Sequence, residues 1–185
     1  MYIHDTYRFN AINLDDNYSN IFNLRQKGLV KNIGLSIYEE NEFNHFSQIE
    51  MPNLVQIPLN ILDNRFFNFA KKISTMKIEV FLRSIFLQGI LLADQENLGN
   101  LFSQDEELLH WNSINKNKLS NKMISCLSFI SKFNISNKNV FKVIVGFNSL
   151  KQFDYFINIL NSEIVELDDL SSNNFSLINP SKWSR

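Results

Sequence analysis

The sequence holds one cysteine, three prolines, five glycines and no surplus of either charge, and each shortage closes off a class of function. Cys126 alone can neither pair within the chain nor share a thiolate metal site with a second cysteine. It reads as a small apolar residue on a helix. Lysine and arginine number 18 against 19 aspartates and glutamates, so no basic excess is available for a phosphate backbone, and no nucleic-acid partner is expected. No apolar run approaches the roughly 20 residues that span a bilayer, the longest candidate being Ile85 to Ala93, so no membrane partner is expected either. Residues 1–10 are polar and lack the apolar centre of a signal peptide, which makes a cytoplasmic protein the expectation. There is no Cys/His cluster, no paired carboxylates and no G-x-G-x-x-G, so no metal site is expected.

What is present is an ordinary globular composition, 44% hydrophobic and 20% charged, biased toward phenylalanine (17) and asparagine. An AT-rich coding sequence accounts for that bias, and phenylalanine fills core positions as readily as it lines a binding site. Short apolar runs alternate with segments of helical spacing. Met1 to Ile3, Asn32 to Ser36, Leu54 to Ile57, Glu79 to Ser84 and Val140 to Val145 read as strands. The last of these is nearly all apolar, as a buried parallel strand would be. Helices are expected over Tyr18 to Lys27 (Ile21, Phe22 and Leu24 on one face), Asn41 to Ile49 and Arg65 to Ser74. The third of these carries Phe66, Phe69, Ala70 and Ile73 at i, i+3, i+4, i+7. Two more are expected over Leu119 to Phe133 and Leu150 to Leu160, the second capped by Ser149. Gly28 fits the residue after a helix end. Asp94 to Asn117 is polar and weakly periodic, and reads as a functional loop or an insertion.

Strict alternation implies right-handed βαβ units and an α/β protein with a parallel sheet. In such a sheet ligands bind at the carboxyl ends of the strands. That rule selects His4, Ser36, Gln56 with Asn60, Arg83 with Ser84, and Gly146 with Asn148 and Ser149. Gly146, before a helix start, suits a phosphate or a plain tight turn.

Five stretches then carry a resemblance to the aldo/keto reductases. LVKNIGLSIY (Leu29 to Tyr38) looks like that family's G-K-I-R-A-I-G-V-S-N, and VQIPLNILDNR (Val55 to Arg65) is similar to V-Q-x-x-Y-N-x-L-D-R. IEVFLRSIFLQGILL (Ile78 to Leu92) resembles the seventh strand of a sub-branch associated with surface-polysaccharide genes. VIVGFNSLKQF (Val143 to Phe153) matches the last strand and its cofactor loop, and YIHD (Tyr2 to Asp5) the end of the fourth. The resemblance covers about residues 1–160. It implies strands 4 to 8 of a (β/α)8 TIM barrel over residues 1–161, with an insertion near 94–117 and a tail over 162–185.

By resemblance the activity is hydride transfer between NADP(H) or NAD(H) and a carbonyl or alcohol small molecule, with a sugar derivative as one candidate. His4 takes the place of the family's histidine, which orients the carbonyl oxygen. Ser36 and Gln56 would hold the nicotinamide carboxamide, while Arg83 stands where many relatives place a stacking ring. Ser84 and Phe86 would lie along the pyrophosphate, with Gly146, Asn148, Ser149 and Gln152 near the adenosine end. Ile37 replaces the family's asparagine. Lys151 reads as a solvated surface lysine rather than a 2′-phosphate partner. The family's tyrosine, lysine and aspartate belong to strands that would precede Met1, so a truncated or split enzyme, inactive as this chain alone, is the expectation. The alternative is a non-catalytic nucleotide- or partner-binding module. Five strands do not close a barrel, so self-association or a complementary half-barrel is expected to cover the open edges. His45 and His110 have no matched role.

Overall fold

The computed structural model describes residues 1–4, 14–48, 50–98, 102–136 and 141–183. Expectations that fall on Asp5, Ile49 and Val140 lie outside these residues, as does that for the side chain of Phe22. The chain divides into two compact units, Met1–Pro58 with Phe66–Leu82 and Val140–Lys142, and Leu59–Arg65 with Arg83–Asn139 and Val143–Arg185.

The first unit carries the sheet. Its strands are β1 (Tyr2–His4), β2 (Gly34–Ser36), β3 (Leu54–Pro58), β4 (Glu79–Arg83) and β5 (Lys142–Val143), with Arg83 and Val143 assigned to the second unit. Five parallel strands run in the order β1-β2-β3-β4-β5. Helices α1 (Leu14–Gln26), α2 (Glu40–Ser47) and α3 (Phe67–Ser74) fill the crossovers between successive strands. Three-residue strands suffice here because the residues they pair are deeply covered: Leu35, Val55 and Ile57 are fully buried, as is Leu82 in β4. The expected stripe of α3 is also buried, Phe69 packing edge-on against Phe43 at 5.2 Å and Phe66 at 5.8 Å. Gly28 ends α1 with φ of 71°, its N–H bonded to the Arg25 carbonyl at 2.9 Å. At Gly34 the need is steric rather than torsional. A Cβ there would meet the Tyr2 ring at 2.7 Å.

The second unit is helical, with α4 (Glu106–Ile114), α5 (Leu119–Ser136), α6 (Leu150–Leu160), the short α7 (Phe175–Ile178) and 3₁₀ turns at Leu87–Leu92, Gln95–Asn97 and Pro180–Lys182. Its core gathers Ile61, Leu62, Leu87, Leu91, Leu108, Trp111, Cys126, Leu177 and Ile178. The C-terminal residues belong to that core. Ser172 donates to the Leu62 carbonyl at 2.8 Å, and Arg65 lies 4.6 Å over the Phe175 ring.

Three expectations change. Residues 94–117, expected as a functional loop or an insertion, are not loop throughout: they include α4, capped by Asp105, whose carboxylate accepts from the Leu108 N–H at 3.1 Å. Trp111 on α4 is buried and donates to the Leu91 carbonyl at 2.8 Å. The last strand is two residues long, not six, and it is exposed: Val143 and Ile144 each keep 39% of their surface open. It lies at the edge of the sheet, where apolar residues on the outer side have no strand to cover them. Finally, α6 forms as expected and packs along α5, yet none of its residues is buried. Leu150, Phe153, Ile157 and Leu160 are 75%, 43%, 43% and 51% exposed.

Candidate functional site

In the first unit the register sets His4 opposite Ser36 and Ser36 opposite Gln56. Residues directly opposite on paired strands project to the same face, so these three side chains form one row at the carboxyl ends of β1, β2 and β3. Their polar groups are open. Neither the Ser36 hydroxyl nor the Gln56 side-chain amide has a hydrogen-bond partner among the described residues. Ser36 is nevertheless only 3% exposed. Its Oγ is not among the fully buried atoms without a partner, so what surface the residue keeps leaves the hydroxyl open to water or to a ligand in water's place.

The chain beyond β2 is held firmly beside that row. The Ile37 N–H donates to the Gln56 carbonyl at 3.1 Å, and the Ile37 side chain is wholly buried. Glu42, on the first turn of α2, reaches back to accept from the N–H groups of both Tyr38 and Glu39, each at 2.7 Å. Tyr38, half-buried, sets its ring edge-on to the exposed imidazole of His4, with centroids 6.5 Å apart and planes at 82°.

The remaining expected residues lie in the second unit, where most polar groups are already engaged. Arg83 ends β4, and its carbonyl accepts from the Leu59 N–H at 3.1 Å. Ser84 has φ of 57°, and its carbonyl accepts from Leu87 N–H at 2.8 Å and Asn60 Nδ2 at 3.2 Å. Phe86 is half-buried against the core, edge-on to Phe156 at 6.3 Å. Gly146 is exposed, with open space around it. Ser149 caps α6 as expected, its hydroxyl accepting from the Gln152 N–H at 3.2 Å, while the Gln152 side-chain oxygen accepts from the Asn148 N–H at 2.8 Å. Asn148, Ser149 and Gln152 thus bind one another. Lys151 is exposed.

Several other polar residues have structural partners, although the Asn112 amide and Glu107 Oε2 are buried with none among the described residues. Asn60, fully buried, accepts from the N–H groups of Leu62 and Asp63, each at 3.0 Å. Asp63 takes a two-point bond from Arg65 at 2.8 and 2.9 Å. Lys122 is buried whole, its amine bonded to the Ala93 carbonyl at 2.6 Å and Asn117 Oδ1 at 2.8 Å, with Asp94 at 3.5 Å. Burial lowers its pKa below the usual lysine range, partly opposed by Asp94. Burial pushes the Cys126 thiol up, which leaves it unreactive. His45 and His110 are exposed on α2 and α4. No group of three His, Cys, Asp or Glu residues able to hold a metal occurs among the described residues. A cavity of about 220 Å³ between α5 and the end of α6, lined by Ile124, Leu127, Ser128 and Ile164, holds none of the expected site residues.

No protein-family model and no curated protein matches the sequence. Solved structures do. The holo form of an aldo-keto reductase from Bacillus halodurans superposes over 89% of this chain and 56% of its own, with a TM-score of 0.64 at 17% identity. The fold is a partial aldo-keto reductase barrel. Aldose reductase from Giardia lamblia (TM-score 0.52, 17% identity, 92% of this chain and 51% of that one) has the same likeness. So does glycerol dehydrogenase from Gluconobacter oxydans (0.51, 15%, 86% and 57%). The chain therefore spans a little over half the length of these barrels. Within the aldo-keto reductase fold, the row His4, Ser36, Gln56 stands at the strand ends where barrel enzymes place their chemistry. Among the described residues no helix is long and apolar enough to cross a membrane.

Proposed function

We propose that the chain is the ligand-holding half of a cytoplasmic nicotinamide-dependent oxidoreductase that acts on a small carbonyl or alcohol substrate. The observation that carries this reading is the pair of open polar groups on adjacent strand ends, Ser36 and Gln56. A carboxamide offers one acceptor and one donor face, and a hydroxyl beside a side-chain amide satisfies both. The residues present therefore fit the nicotinamide of NADP(H) or NAD(H). Ser36 and Gln56 would hold and orient it, and His4 would point a carbonyl oxygen of the substrate, a sugar derivative being one candidate. Arg83 would stand where relatives place a ring against the nicotinamide, and Ser84 and Phe86 would follow the pyrophosphate. Gly146, Asn148, Ser149 and Gln152 would sit toward the adenosine. The bound nicotinamide supplies or accepts the hydride.

The test is a fluorescence titration of NADPH and NADH into the chain and its variants. Ser36→Ala and Gln56→Leu should each weaken binding about tenfold, the cost of one or two lost hydrogen bonds. Unchanged affinity in both, or no binding by the unaltered chain, defeats the proposal.

A second reading, a partner-binding half-barrel, is favoured by the apolar stripe on α6 and the exposed β5 edge. Its occupant would be a complementary set of strand–helix units or a second copy. Sedimentation velocity separates the outcomes, and a monodisperse monomer that melts cooperatively argues against this reading.

A further inference from the structure

We infer that the amino ends of strands β1 to β4 form a docking face for a second copy of this chain, and that the acidic segment 163–170 of that copy is what the face receives. The inference is independent of the proposed nucleotide site, which lies at the opposite, carboxyl ends of the same strands. In a parallel sheet each crossover returns to the amino edge before the next strand begins. Backbone bonds level that edge here. The Gly34 N–H donates to the Met1 carbonyl at 2.8 Å, Asn53 to Ile33 at 2.8 Å and Glu79 to Asn53 at 3.0 Å. Just before the four strands stand Met1, Leu29, Met51 and Met76, each between 43% and 71% exposed. Single exposed apolar residues are ordinary, but one ahead of each of four neighbouring strands makes a row.

The same loops, with the last turn of α3, carry Lys27, Lys31, Lys72 and Lys77, all exposed and without an ion-pair partner among the described residues. Two carboxylates at this edge are already engaged, Glu50 with Arg25 and Glu79 with Lys142. The chain as a whole carries a net charge of −1, so acids elsewhere balance these lysines. Four of them fall in EIVELDDL, residues 163–170 of the second unit. That run is extended and fixed from beneath: the Val165 N–H donates to Ser128 Oγ at 3.0 Å, and Leu167 and Leu170 pack against the core. Ile164 and Val165 stay exposed between the acids. Glu166 pairs with Lys132, while Glu163 and Asp168 have no ion-pair partner among the described residues. An apolar ridge flanked by acids is the complement of an apolar row flanked by lysines. Both are exposed in the single chain, which leaves them to meet on two. An anionic bilayer would attract the lysines but repel the acidic run, whereas a second copy engages both. The contact is head-to-tail, so a pair keeps one edge and one acidic run for a third copy.

Sedimentation velocity of the full chain, from about 20 mM to about 500 mM salt, tests this over a range in which exposed charges become screened. Expected are concentration-dependent assemblies at low salt that dissociate at high salt. Two charge-reversed variants follow, Lys27→Glu with Lys31→Glu, and Glu163→Lys with Asp168→Lys. Each alone sets like charges against one another and should associate at least about tenfold more weakly. Mixed in equal amounts they should assemble again, since the acidic run of the first fits the unaltered edge of the second, and the two reversed surfaces fit each other. Recovery on mixing also shows that both variants are folded. A chain that stays monomeric at low salt overturns the inference, and one that floats as a monomer with phosphatidylserine vesicles would give the edge to a membrane instead. Association indifferent to salt and to both variants overturns it too, and is the result expected of the apolar α6 stripe. So does a mixture that stays dissociated while both variants melt as cooperatively as the unaltered chain.

Discussion

Much of the second unit's polar chemistry is spent on itself, although the Asn112 amide and Glu107 Oε2 are buried without a partner among the described residues, whereas the strand ends of the first unit leave theirs open to solvent. Lys122 gives its amine to Ala93 and Asn117, Asn60 closes the turn before Asp63, and Ser149 and Gln152 cap α6. Ser36 and Gln56, in register on β2 and β3, have no such partners among the described residues. A satisfied buried polar group reports on stability, since removing it strands its partners. An open one at a ligand-binding end of a sheet reports on what it will hold. If this contrast is right, substitutions in the two sets separate into those that unfold the chain and those that only blind it.

The largest effect is expected at Lys122. Lys122→Ala strands the Ala93 carbonyl and the Asn117 side chain and leaves a cavity, at a cost of about 2–4 kcal/mol in denaturant unfolding. The group also carries a pH signature. Its pKa is lowered by burial, so the folded chain binds this proton less tightly than the unfolded chain does. Stability from Lys122 therefore rises with pH, from its lowered folded value up to the ordinary 10.5. Lys122→Met should flatten that rise. A slope that survives the substitution would assign it to another group.

Next in size is a test of the first unit that involves packing alone. Gly34→Ala drives a Cβ into the Tyr2 ring at 2.7 Å and toward Leu54 at 3.2 Å, which should cost about 1–3 kcal/mol. The counterpart is Gly146, whose surroundings are empty, and whose substitution should be silent by the same assay. Comparable losses at both glycines would mean that the close approach at Gly34 is not what requires a glycine there.

How far the sequence could be read follows the same line between pattern and partnership. The α3 stripe, the Ser149 cap, strands β3 and β4, and the parallel order were legible because periodicity and strand-bounding residues are local properties. Helix α4 was not, since Glu106, Glu107, Asn112 and Ser113 dilute a stripe that rests on Leu108 and Trp111. The apolar run through Val143 read as buried because composition does not say whether a strand is central or at an edge. Lys122 read as nothing at all. A lysine in a helical window is taken as solvated, and only its distances to Ala93 and Asn117 reveal otherwise. At the site, strand-end position was enough to select His4, Ser36 and Gln56, but it selected Asn148 and Ser149 by the same rule. That both are tied to Gln152 in the cap of α6 is a matter of geometry.

Ser149→Ala sharpens this last point at a smaller scale. It removes the acceptor for the Gln152 N–H and should cost about 1 kcal/mol, as helix caps do. Thermal unfolding measures it, and a silent result would mean that α6 is held by something other than its cap.

The smallest expected change in stability belongs to Ser36→Ala, and it is the most informative. Ser36 is as deeply buried as many core residues, so burial alone predicts a loss on truncation. Its hydroxyl, however, has no partner among the described residues to strand, and the alanine that replaces it keeps the Cβ packed. The hydroxyl still reaches solvent, so its loss strands nothing and recovers little, and the net change should lie within about 0.5 kcal/mol, on either side of zero. Denaturant unfolding of the nucleotide-free chain measures this directly. A loss of more than about 1 kcal/mol would mean that the hydroxyl is bonded within the fold. Ser36 would then join Lys122 and Asn60, and the strand-end row would lose its claim to be a place kept open for a ligand.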